Sequence, residues 1–117
     1  MEAQIVIDPV TFNGLKDLMG ADFVPELIDT YNSETGGLIE QLRQALVAQD
    51  AATFGRHAHS IKSSSASLGA LVFSQQAREL EMMGKANNLS GAGPKLEQLA
   101  ADFLQVKRCL EGLKDGP

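Results

Sequence analysis

Apolar residues recur along this chain at spacings of three and four, in runs separated by short stretches of cap and turn residues. Val24, Ile28, Tyr31, Leu38, Leu42 and Leu46 form one series, Phe54, Ala58, Ile61, Ser65 and Leu68 a second, and Leu71, Phe73, Ala77, Leu80 and Met83 a third. The fourth, Leu96, Leu99, Phe103, Val106, Leu110 and Leu113, alternates steps of three and four without a break. That is the pattern of a seam between nearly antiparallel helices. Each series predicts an amphipathic helix with one apolar face. Gly36 and Gly37 fall inside the first and weaken its middle, at about 1 kcal/mol each.

Cap residues place the ends. Asp8 before Pro9 reads as an N-cap and first helical residue, predicting a short helix to Met19 closed by Gly20. Asp22 is the expected cap of a long helix reaching Ala48, with Pro25 in its first turn. Asp50 caps the next helix, and Gly69 either ends it or marks a close packing contact. "KANNLSGAGP" reads as a hairpin loop, after which Pro94 starts the last helix. "IVI" near the start is too short to found a sheet, and no alternating run follows it. The expected fold is all-α: an antiparallel up-and-down four-helix bundle, with a short additional N-terminal helix over one end. The 117 residues suit one domain, 1–117, with loose ends at about 1–7 and 114–117.

Composition narrows the setting. With 44% hydrophobic residues but no tryptophan, one tyrosine and five phenylalanines, aliphatic side chains and alanine must fill the core, which favours helix over sheet. The one cysteine, Cys109, has no internal disulfide partner and fits a reducing compartment as a packed thiol. No apolar run approaches the roughly 18 to 20 residues that cross a bilayer, and the start resembles no signal peptide. A cytoplasmic location without a membrane partner is expected. A net charge of −5 argues against nucleic acid and towards protein partners. One apolar stripe per helix closes the core without a second copy, so a monomer is expected.

The candidate chemistry lies in "RHAHSIKSSSASLGA", residues 56–70. On a helix His57 and His59 point about 200° apart, so they cannot share an ion or a substrate. With no third histidine and one remote cysteine, no metal site is expected. His57 shares its face with Ile61 and Ser64 and has no charged helper, which reads as a surface or boundary side chain. His59 shares its strip with Gly55, Lys62, Ser63 and Ala66. All but the lysine are small, so the ring would be open to another protein, and Lys62 could reach a negative group attached to it. Between Asp50 and Glu79 there is no acid, while Arg56, Lys62 and Arg78 fall inside that interval. A phosphoryl acceptor wants such a patch, and neutral imidazole is a competent nucleophile near pH 7. Reversible phosphorylation of His59 fits these residues. Plain packing by Ser63, Ser64 and Ser65 fits the spacing as well. A module that only binds its partner is a further reading. A hydrolase pairing His59 with Ser63 fits less well, because no oxyanion-hole motif is present.

"AHSIKSSSASLGA", Ala58 to Ala70, resembles the signature of the histidine-containing phosphotransfer (HPt) domains of bacterial multistep phosphorelays, roughly A-H-x-L-K-G-S-[SA]-x-x-L-G-A. The likeness extends over essentially the whole chain and includes the "LE" of Leu80 and Glu81. It implies a phosphorylated histidine at His59, a phosphate-supporting lysine at Lys62, and Ser63 where the family more often has glycine. Gly55, Arg56, Ser63 and Ala66 would line the docking surface for a receiver domain. The resemblance further implies a phosphocarrier with no kinase or ATPase activity of its own, and no glycine-rich nucleotide loop appears in the sequence. Its partners would be response-regulator receiver domains and a hybrid sensor histidine kinase. It would hold no cofactor, the Mg²⁺ of the reaction belonging to the receiver.

Overall fold

Short connections between long apolar stripes force consecutive helices to lie side by side, and the computed structural model, which describes residues 6–114, shows that arrangement. The helices are α1 (Pro9–Met19), α2 (Val24–Val47), α3 (Ala51–Leu68), α4 (Leu71–Lys85) and α5 (Ala92–Lys114). No strand occurs among the described residues. Helices α2 to α5 pack in a ring, each against the next in sequence and α5 back against α2, while α1 lies on α3. Cross-helix pairs give the directions. Tyr31 meets Ser65, Ser74 meets Lys62, Glu79 meets Lys95, and Arg43 meets Glu97, so each neighbouring pair runs antiparallel. This is the expected four-helix bundle with its extra N-terminal helix. The ends expected to be loose lie mostly outside the described residues, although Ile7 is buried on the core.

Two of the expected caps are present. The Asp8 carboxylate accepts from the Thr11 amide at 3.0 Å, and that of Asp50 accepts from the Thr53 amide at 3.2 Å. Each carboxylate stays ionised below its usual range, chiefly because the threonine hydroxyl and amide donate to it. Asp22 does not cap α2. It lies inside a 3₁₀ turn, Ala21–Phe23, that feeds the helix, so Phe23 occupies the cap position without a side-chain bond. The turn satisfies the Phe23 amide itself through Gly20 O at 3.1 Å, and Pro25 has no amide to satisfy. The last helix begins at Ala92, two residues before Pro94, because Pro94 fits within a first turn whose amides have no helical partner anyway.

The core stripe of α2 is rotated from the expected one. Ile39 and Ala45 are buried where Leu38 and Leu46 were expected, and the latter are only half-buried. Facing α3 on one side and α5 on the other widens the buried face beyond a single stripe. The helix runs unbroken through Gly36 and Gly37. Phe103 of α5 joins the layers, with Tyr31 of α2 edge-on at 6.5 Å and Phe73 of α4 at 5.9 Å between ring centroids. The Tyr31 hydroxyl is satisfied inside the core by Ser65 Oγ at 2.6 Å.

Gly69 serves both expected purposes. Its φ of +93° closes α3 in the left-handed conformation, and its carbonyl accepts from the Asp8 amide at 2.8 Å, tying α1 to the α3–α4 turn. A Cβ there would stand 2.9 Å from the Asp8 carbonyl oxygen. Gly69→Ala should therefore cost about 2 kcal/mol or more, from left-handed backbone plus that collision. Gly37→Ala, with nothing within 4 Å of an added methyl, should stabilise by up to about 1 kcal/mol. Equilibrium urea unfolding checks both signs.

Candidate functional site

The apolar stripe of α3, Phe54, Ala58, Ile61, Ser65 and Leu68, is turned into the bundle. That orientation leaves His59 and Lys62, three residues apart, on the flank facing α4. The His59 side chain is 56% exposed, and that of Lys62 is 29% exposed. His57 lies on the other flank, half-buried, and takes no part in the cluster. The two histidines are separated as the helical geometry requires.

Opposite them on α4 stands a residue whose role the sequence reading missed. Glu81 is buried, its side chain 3% exposed, and its two oxygens are shared out among three nitrogen donors. Oε2 lies 2.7 Å from His59 Nδ1 and 3.3 Å from Lys85 Nζ, while Oε1 lies 2.7 Å from Lys62 Nζ. Burial alone would raise the Glu81 pKa. The bonds from Lys62, His59 and Lys85 outweigh it and bring the group down from 4.5 to about 2. The carboxylate is thus ionised and can only accept, so His59 Nδ1 must carry the proton and donate it. With Nδ1 committed, the in-plane lone pair of the uncharged form of the ring falls on Nε2.

The expectation of a patch without carboxylates is corrected at this point. The acid-free interval from Asp50 to Glu79 is real along the chain, but α4 runs back along α3 and delivers Glu81 from just beyond it. The cluster still favours an incoming anion, because the single carboxylate is outnumbered by Lys62 and Lys85. Lys62 Nζ rests on Glu81 Oε1 at 2.7 Å. Along α3, Ser60 Oγ donates to Arg56 O at 3.3 Å, Ser64 Oγ to Ser60 O at 2.9 Å and Ser67 Oγ to Ser63 O at 3.1 Å, while Ser63, one turn from His59, is exposed. His59 Nδ1 is bonded to a carboxylate and not to a hydroxyl. Nδ1 is therefore not placed to activate a serine hydroxyl. Among the described residues no group of three or more His, Cys, Asp or Glu side chains could hold a metal ion.

The expected docking residues divide. Gly55 and Arg56 line an open groove of about 690 Å³ between α3 and α4, together with His59, Ser60, Gly84 and Lys85. Gly55 itself is buried against the backbone of Gly84, so it forms floor rather than rim. Arg56 is exposed and donates to Thr53 Oγ1 at 3.1 Å. Ser63 is exposed and Ala66 half-buried, both outside the groove.

Comparison with known proteins gives the family and a matching fold. The profile of the Hpt domain matches residues 26–116. The chain belongs to the Hpt domain family. A solved structure of the same fold is histidine-containing phosphotransfer protein B (HptB) from Pseudomonas aeruginosa PAO1, 26% identical over 97% of each chain with a TM-score of 0.90. Among curated proteins no sequence match is found. The function of this Hpt domain is histidine phosphotransfer in a phosphorelay. None of its described helices is long and apolar enough to cross a membrane.

Glu81, Gly84 and Lys85 of this Hpt domain carried no assigned role in the sequence reading. The signal that would have found them is their spacing: three and four residues apart, they fall on one face of α4. The depressed pKa of Glu81 also makes an acid-stability prediction. Its contribution is complete above the unfolded value of 4.5 and is lost as the pH falls from 4.5 towards 2. Unscreened, such a shift is worth about 3 kcal/mol, and water around the exposed ends of His59 and Lys85 should reduce the observed loss to about 1–2 kcal/mol. Urea unfolding between pH 5 and pH 2 should show that loss in the native protein, and Glu81→Gln should flatten the curve by the same amount.

Proposed function

We propose that the protein carries its phosphoryl group on Nε2 of His59, receiving it from the aspartyl phosphate of one receiver domain and yielding it to the aspartate of another. The observation that carries this reading is the bond from His59 Nδ1 to the ionised Glu81 at 2.7 Å, on a side chain that is 56% exposed. The Nε2 lone pair attacks phosphorus in line, the N–P bond forms, and the P–O bond to the receiver carboxylate breaks with its electron pair. The ring becomes an imidazolium bearing the phosphoryl group, still protonated at Nδ1. Glu81 meets that positive charge as it develops, the role an aspartate plays behind the imidazole of a serine hydrolase. Return of the phosphoryl group to a receiver reverses the same bonds.

Lys62 and Lys85 supply positive charge beside the site, so the cluster of Glu81 and two lysines is net cationic before the phosphoryl group arrives. Lys62, one turn from His59 on the same helix, is the expected support for the phosphoryl oxygens. The receiver brings Mg²⁺ and the rest of the charge stabilisation, and the bundle supplies a rigid, pre-aimed nitrogen. The protein is a carrier rather than a kinase. Its partners are receiver domains, among them that of a hybrid sensor histidine kinase, and it acts in the cytoplasm as a monomer.

Incubation with a phosphorylated receiver and Mg²⁺ should give acid-labile phosphate on this protein. His59→Gln should abolish the label while His57→Gln retains it, and the reverse pattern would move the site. Lys62→Ala should slow transfer about tenfold, the value of one charge-assisted contact of about 1.5 kcal/mol in the transition state. A Lys62→Ala protein with unchanged transfer would reduce that lysine to a structural partner of Glu81.

A further inference from the structure

The bond between His59 and Glu81 joins two helices, so its length depends on how closely α3 and α4 approach. One turn beyond it the helices meet backbone to backbone. An added Cβ on Gly84 would lie 2.6 Å from Gly55 Cα, 2.7 Å from Gly55 N and 2.8 Å from Ala51 O. These are main-chain atoms and cannot swing aside. Gly84 follows Glu81 by three residues and Gly55 precedes His59 by four, so the contact and the bond occupy neighbouring turns of the same two helices. Gly84 lies within α4, where glycine costs about 1 kcal/mol relative to alanine. The backbone there shows no left-handed φ to account for it. Space is what remains to explain the glycine.

We propose that Gly84 is a positioning residue for the transfer: its missing side chain lets α4 close on Gly55, and that closeness seats the Glu81 carboxylate on His59 Nδ1. The proposal rests on the carrier reading above. The other end of the contact is held separately, by Ser74 Oγ donating to Lys62 O at 2.8 Å. Glu81 lies between the two fixed points. Carbon atoms in contact stand about 3.6 Å apart, so a methyl at position 84 demands about 1 Å of extra separation. If α4 pivots about Ser74, Glu81 lies at about two-thirds of the lever, counting 1.5 Å per residue, and moves by roughly 0.7 Å. The 2.7 Å bond would then open to roughly 3.4 Å, beyond the range of a good N–H···O bond. The opposite substitution is not equivalent. A Cβ on Gly55 would stand 3.5 Å from Gly84 Cα and 3.6 Å from Glu81 O, ordinary contact distances that require no separation.

The test reads the imidazole directly. In the native protein, ¹⁵N resonances of His59 at a pH where the ring is neutral should show Nδ1 protonated and Nε2 bare. Gly84→Ala should shift the ring towards a mixture of the two tautomers, while Gly55→Ala leaves the signature unchanged. Loss of stability alone would not change the tautomer, so a folded Gly84→Ala protein with native His59 resonances overturns the proposal. Phosphate uptake from a phosphorylated receiver should fall at least fivefold in Gly84→Ala, and unchanged uptake beside an altered ring would equally overturn it. Should Gly84→Ala not fold, Gly55→Val, whose extra methyls reach the α4 backbone, takes its place. A partial tautomer shift is then expected, and none would count against the proposal. If the native protein takes phosphate from no receiver, it is the carrier reading that fails, and the resonances still decide whether Gly84 seats His59.

Discussion

A carboxylate taken out of water is tolerated only where donors replace its lost hydration, and Glu81 meets that condition with three of them on two oxygens. Much of the site follows from this constraint. Two donors come from α3 and one from α4, so the ion can exist only while those helices lie close together. In return it fixes what lies above it. Lys62 is drawn onto one oxygen and the imidazole is locked in one orientation and one tautomer by the other. Removing a donor would leave a buried charge short of partners, which is far more costly than the modest gain from forming any one of the bonds.

The bundle around this ion has the properties its task requires. Phosphoryl transfer between two proteins asks for little chemistry from the carrier and a good deal of placement. A long helix packed on three others offers an atom that stays put, and the open groove beside His59 leaves room for a second protein to approach it. Exposure and rigidity are usually opposed in a side chain. Here the exposed ring is held from behind by a buried group, so its outer edge can stay exposed without the side chain wandering through its rotamers.

The fold was legible in the sequence because its signals are local. The three-four alternation of α5, the Asp8 and Asp50 caps and the turn at Gly69 each act within a few residues, and the structure keeps them. Asp22 and the outer stripe of α2 were misread for related reasons. Two different starts can satisfy a helix's first amides, and a helix with neighbours on both sides buries more than one stripe. The nearness of His59 and Lys62 was legible because they share a helix. Glu81 was quoted only as part of a motif, and its contact with them was hidden. Its contact with His59 spans 22 residues and depends on which face of α4 the bundle turns inward. A run of residues free of acid says nothing about an acid delivered by the next helix. Charge counted along a chain is a one-dimensional quantity, and the field at an atom is not.

The position of the proton on His59 bears on the proposed transfer in each direction. An imidazole that had to lose or gain a proton during attack would need a base in one direction and an acid in the other, and its rates would be tied to pH in opposite senses. With Nδ1–H already donated to Glu81, the proposed cycle begins and ends with that proton in place. Only the N–P and P–O bonds change. The carboxylate is ionised throughout, since its pKa of about 2 lies far below any working pH, so its charge opposes that of the imidazolium without being consumed. The carrier therefore needs no acid or base of its own. That economy fits a site built from one histidine, one buried glutamate and lysines.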